Sequence, residues 1–160
     1  MSGIAMSLMN NVPVVYPPYT FYEAFGNTVA LSTTQYVEGT KIYAYSSTYD
    51  VPGYQNAMIQ VNDVEIVNTA ARGHTMAVLA ANGSTVSITN YDTYIDPNNA
   101  TTMANALNAV ASGNRVVLVV YDASSLNASA RSAINTGYGS TNSNTWIPER
   151  ISHIFIGIKS

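Results

Sequence analysis

A chain of 160 residues with 47% apolar content falls in the size range of one domain built on one hydrophobic core. Only 9% of its residues are charged, against about 25% in ordinary globular proteins; its surface must be coated by Ser, Thr, Asn and Tyr, and a net charge of −3 with a pI near 5.1 excludes the clustered Lys and Arg of nucleic-acid binders. There is no cysteine, which excludes disulfides and thiolate metal sites, and Met1 to Asn10 has neither the basic leader nor the long apolar run of a signal or spanning segment, so no membrane partner is expected.

The run from Val12 to Tyr19 holds Pro13, Pro17 and Pro18, which fix φ and bias their predecessors away from helix, so it is extended and reads as an arm. Phe21 to Tyr36 has aromatic and β-branched residues without clean periodicity; it reads as an edge strand, as a segment that orders only against a neighbour, or as a mobile terminus. Residues 1–40 are accordingly assigned to an extended docking arm and residues 41–160 to a compact α+β domain.

Lys41 to Tyr45, Ala57 to Val61, Val64 to Val67 and Thr75 to Ala80 are short apolar runs between turn residues and predict strands. Asn62-Asp63 and Asn82-Gly83 tolerate positive φ and predict two tight hairpins. Tyr91 closes a strand, and Asp92 and Asp96, ahead of Pro97, read as a turn with an Asx cap more simply than as paired catalytic carboxylates. Between Asn99 and Ala111, Met103, Leu107 and Val110 recur at helical spacing, and Arg115 to Val120 is the continuous apolar run of a central strand covered on both faces. Ser124 or Ser125 caps a second helix whose Leu126, Ala130, Ala133 and Ile134 share one side, with Gly137 as its stop. Gly139 to Thr145 is a loop, and His153 to Ile158 a last strand.

Catalytic signatures are missing from this pattern. Neither His74 nor His153 has a second ligand-type residue at metal-site spacing, and His74 beside Gly73 reads as a turn or core residue. There is no Gly-x-Ser-x-Gly elbow and no phosphate loop, and Gly137-Tyr138-Gly139 lacks the third glycine of a dinucleotide fingerprint. No enzyme activity, metal or cofactor is expected. With so few charges, each arginine needs a reason. Arg115 and Arg131 suit ordinary solvated positions. Arg72 and Arg150 each stand before a strand, and Asp122 follows the central one. If those strand ends lie side by side, two guanidinium groups and a carboxylate converge, either as a structural salt-bridge network or as a pocket for hydroxyl-rich ligands such as sugars. Tyr91, Tyr94, Tyr121 and Trp146 are candidates to pack against a sugar ring.

The order of Val61-Asn62-Asp63, Ala71-Arg72-Gly73-His74, Asn82-Gly83, Tyr91-Asp92-Thr93-Tyr94, Gly113 before Val116 to Val120, Asp122, Ile134-x-x-Gly137, Arg150 and Phe155-Ile156-Gly157-Ile158-Lys159 resembles the interleukin-like EMT inducer domain, also called the GG or PANDER-like domain. The resemblance covers about Lys41 to Ser160. It implies a β-sandwich of two small sheets flanked by short helices. The family includes secreted cytokine-like proteins, the stem domain of a glycosyltransferase that extends O-mannose, and the hinge connector of T-even phage long tail fibres. In the glycosyltransferase stem the domain is a lectin, and its sugar-contacting arginine before glycine, aspartate after the central strand and arginine before the final strand are matched by Arg72, Asp122 and Arg150. This chain departs from the family in its missing cysteines, in Lys159-Ser160 at its end, and in Ile151-Ser152-His153 where an aromatic often stands.

The leading expectation is a non-catalytic phage virion component of tail, fibre, collar or capsid, present in multiple copies and assembled in the bacterial host cytoplasm. It would dock onto other virion structural proteins by residues 1–40. The alternative is a carbohydrate-binding module whose Arg72, Asp122, Arg150 and Trp146 hold host or surface glycans.

Overall fold

The computed structural model describes residues 20–53, 56–140 and 150–160. Among them the chain forms, in order, β1 (Thr20–Asn27), β2 (Ala30–Val37), β3 (Thr40–Thr48), β4 (Ala57–Val61), β5 (Val64–Thr69), β6 (Gly73–Leu79), β7 (Thr85–Tyr91), α1 (Pro97–Ala109), β8 (Arg115–Asp122), α2 (Ala128–Tyr138) and β9 (Ile151–Ile158).

Two antiparallel sheets stack face to face, as the resemblance implied. One runs β7-β6-β8-β9-β1, the other β2-β3-β4-β5. They join at a corner, where Ser47 and Thr48 of β3 run parallel to Tyr121 and Asp122 of β8. A hydroxyl fills the seam. Ser46 Oγ donates to Val120 O at 2.7 Å and accepts from Val120 N at 3.2 Å and His153 N at 3.1 Å, which uses its one proton and both lone pairs where β8 and β9 part.

β8 is apolar from Val116 to Val120 because both of its faces are covered, and its neighbours β6 and β9 are buried along almost their whole length. Met76, Val78, Val116, Leu118, Ile151 and Phe155 point to the helices and meet Met103, Leu107, Ile134 and Tyr138. The alternate residues, Ala77, Leu79, Val117, Val119, Ile154 and Ile156, point to the second sheet and meet Ile42, Ala44, Ile59 and Val61. Both helices pack the stripes read from the sequence. Asp96 caps α1, accepting from Asn98 N at 2.8 Å with Pro97 in the first turn.

Four sequence expectations change. The arm does not extend to residue 40. β1 pairs with β9 over Thr20 to Asn27, and β2 pairs with β3 over Ala30 to Val37, so residues 20–37 belong to the sheets. Periodicity hid these strands because Thr33 and Gln35 take the more buried side of β2 while Tyr36 takes the exposed one, and β1 turns a carboxylate, Glu23, inward. The second helix is capped by Asn127, which accepts from Ala130 N at 2.9 Å; Ser124 is fully buried and donates to Ile151 O instead. That helix runs past Gly137 to Gly139, whose left-handed φ of 76° ends it. Arg115 is not solvated. It is 3% exposed and bonds Glu38, at the turn between β2 and β3, and Gly113 O, so it bolts the start of the central strand to the opposite sheet.

Candidate functional site

Antiparallel pairing decides what meets at the end of the first sheet. Gly73 opens β6 opposite Tyr121 near the end of β8, and β9 starts at that same end, since Ile154 lies opposite Val119. Arg72, Asp122 and Arg150, far apart in sequence, therefore gather at one rim. Arg150 forms an ion pair with Asp122 through Nη1 and Oδ1. The negative charge of Asp122 also acts on Arg72.

The sequence reading missed two members of the rim. Asp92 takes Arg72 in a forked pair, with Nε 3.1 Å from both carboxylate oxygens and Nη2 2.9 Å from Oδ2. The guanidinium groups then lie over tyrosine rings: Arg72 Cζ is 5.4 Å from the Tyr94 centroid, and Arg150 Cζ is 5.3 Å from that of Tyr49. A signal for this existed, because Tyr-Asp occurs at the end of two strands. In each case a three-residue turn throws the carboxylate outward: Thr93 N donates to Tyr91 O at 2.8 Å around Asp92, and Ala123 N to Tyr121 O at 3.0 Å around Asp122. The rim thus carries two similar clamps, Asp92–Arg72–Tyr94 and Asp122–Arg150–Tyr49.

The backbone of the rim is strained. Asp122 has φ 71° and Arg150 φ 44°, left-handed values that cost about 1–2 kcal/mol each in a residue with a Cβ. Tyr49 N donates to Asp122 O at 3.3 Å, which helps to hold the first of these. Gly73 sits at φ 97°, and an added Cβ there would lie 2.2 Å from Tyr91 O, so only glycine lets β6 approach the Asp92 turn.

Electrostatically the rim is balanced. The Asp92 hydrogen bonds hold Arg72 more firmly in its charged form, against burial, and the charges of Asp92 and Asp122 add to that. The side chains remain reachable, at 37% exposure for Arg72, 30% for Asp92, 43% for Arg150 and 18% for Asp122. Arg72 uses Nε and Nη2 and Arg150 uses Nη1, so among the described residues further guanidinium N–H groups stay available. Such a surface offers planar donors, carboxylate acceptors and aromatic faces together.

Of the other candidates, Tyr94 is in the rim. Tyr121 is 8% exposed and belongs to the core between the sheets, and Tyr91 packs on the helix-side core, so neither offers a free ring. Trp146 lies outside the described residues, as does most of the loop expected from Gly139 to Thr145. His74 and His153 are buried together beneath the rim, in agreement with the core reading of His74.

No curated protein sequence matches the chain. The family model described as interleukin-like EMT inducer matches residues 72–160, a span that begins at Arg72 of the rim and takes in β6 to β9 with both helices. With more than half of its length matched, including Arg72, Asp122 and Arg150, the chain belongs to the interleukin-like EMT inducer family.

Proposed function

We propose that this domain is a non-catalytic glycan-binding module, and that Arg72, Asp92, Asp122 and Arg150 grip neighbouring sugar hydroxyls while Tyr49 and Tyr94 flank the ring. The observation that carries the reading is the pair of Arg–Asp clamps side by side on one accessible rim. Guanidinium donors and carboxylate acceptors at fixed spacing suit vicinal hydroxyls, and a half-exposed site spends little on dehydrating them. Catalysis finds little support here, because each rim carboxylate is committed to a guanidinium and both histidines are buried away from it. The test is a glycan array probed with the intact chain and with Arg150→Ala. Binding to a defined glycan class that falls at least about tenfold in the variant, the loss of about 1.4 kcal/mol, agrees with the proposal. Absence of binding to every arrayed glycan counts against it.

A second reading concerns where the module is displayed. The sparse charge, the Asn, Ser and Thr surface and the proline-punctuated stretch from Val12 to Tyr19 ahead of β1 favour a phage virion component that docks through its first residues. With residues 20–27 taken up by β1, the proposed docking segment is residues 1–19. Particles assembled with a chain lacking residues 1–19 are expected to lose the protein; normal incorporation contradicts virion docking by this segment and leaves the glycan reading untouched.

A further inference from the structure

On one side the first sheet ends in β7, which pairs with β6 and, among the described residues, with no other strand. Its seven residues are exposed from Thr85 to Asn90, so the outer row of backbone N–H and C=O groups is left without a strand to bond. Soluble proteins ordinarily blunt such an edge with a charge, a proline or a bulge. β7 has neither charge nor proline, and its one register shift lies at its first end, where Leu79 stands opposite Thr85; Ser87 to Tyr91 pair with β6 in regular order. By contrast β5, an outer strand of the second sheet, carries Glu65. Two large apolar side chains also stand bare on this edge strand: Val86 is 58% exposed and Ile88 43%.

Charge and pattern say what suits this edge. From Gly73 to Tyr91 the chain has no charged residue, so a molecule of net charge −3 can meet its own copy here without setting like charges against each other. The charges that flank the stretch, Arg72 and Asp92, form an ion pair and cancel. A strand edge also carries donors and acceptors in equal number, which makes it complementary to itself when a second copy runs antiparallel.

We propose that two copies of this chain pair through β7, antiparallel about a two-fold axis at Ile88, so that their first sheets become one continuous sheet. In this register Ile88 faces Ile88 of the second copy, with Val86 of each chain two residues along the strand, and the bare apolar surface of both copies leaves water together. On the other face of the strand Ser87 stands opposite Thr89 in both directions, hydroxyl against hydroxyl. One strand pair is a small interface, below about 1,200 Å², which belongs to reversible association. Each ligand rim lies at the Tyr91 end of its own β7, so the axis sets the two rims at opposite ends of the joined sheet. This inference does not depend on the rim binding anything.

Sedimentation of the full chain at concentrations up to about 100 μM, a range suited to small reversible interfaces, tests it. The pairing predicts a monomer–dimer equilibrium whose association constant falls at least about tenfold in Ile88→Lys, where two ammonium groups would face each other across the axis. The chain has no cysteine, so a single introduced thiol reads the register. Ile88→Cys should cross-link to its own copy under mild oxidation, whereas Val86→Cys, roughly 13 Å from its counterpart in this register, should not. A monomer at every concentration overturns the proposal, as does association that Ile88→Lys leaves unchanged or cross-linking as fast at position 86 as at 88. Dimers that vanish when residues 1–19 are removed overturn it too, and give the edge to that segment instead.

Discussion

A guanidinium drawn partly out of water needs a carboxylate that faces it with both oxygens, and Asp92 gives Arg72 that geometry while still capping its own turn through Ile95 N at 3.2 Å. With both side chains about a third exposed, the pair is worth at most about 1 kcal/mol to folding. Arg72→Ala and Asp92→Asn should each lower stability by no more than about that amount in urea titrations, yet either should weaken ligand binding far more. Gly73 behaves differently. Gly73→Ala would drive Cβ into Tyr91 O at a φ of 97°, and a loss of about 3 kcal/mol or more is expected from strain plus displacement of the Asp92 turn, measured by the same titration. Arg72, Asp122 and Arg150 were legible in the sequence because charge is so scarce that each ionic group stands out. Asp92 was not, since its turn role was sufficient to account for it. Tyr49 was out of reach as well: it meets Arg150 only because β3 ends parallel to β8, a pairing no local pattern encodes.

Elements whose buried faces are wholly apolar could be read from periodicity alone. β8 and α1 are such cases, with Val116 to Val120 covered on both faces and Met103, Leu107 and Val110 on one helix side. Leu107 is fully buried among the helix-side core, so Leu107→Ala should cost about 3 kcal/mol, within the 2–5 typical of such cavities, read from the urea midpoint. Strands that bury polar groups escaped the same reasoning. β1 turns Glu23 inward and β2 sets Thr33 and Gln35 on its more covered side, so hydrophobic alternation is absent although pairing with β9 and β3 is complete. The misplaced α2 cap has the same origin. Ser124 carries the expected chemistry, but its hydroxyl is claimed by Ile151 O across the sheet, and Asn127 is the residue that turns back onto the helix.

At the scale of the molecule, the family match covers the first sheet's central strands and both helices, while β1 to β5, ahead of the match, supply the second sheet and one edge of the first. The two parts share a core through Val117, Val119, Ile154 and Ile156 against Ile42, Ala44 and Ile59. Removal of residues 1–19 should leave the cooperative unfolding transition in place, because every described strand survives. Removal of residues 1–40 strips β9 and β3 of partners and takes Glu23 from His153; loss of the cooperative transition in circular dichroism melts is expected. The same architecture brings three strand ends to one rim, and ligand recognition there is the claim on which the functional account stands. Backbone and arginine side-chain NMR shifts of the intact chain, recorded while it is titrated with the tightest arrayed glycan, test it most directly. The account predicts a footprint confined to Arg72, Asp92, Tyr94, Asp122, Arg150 and Tyr49, and a footprint on the helices or along β7 would contradict it.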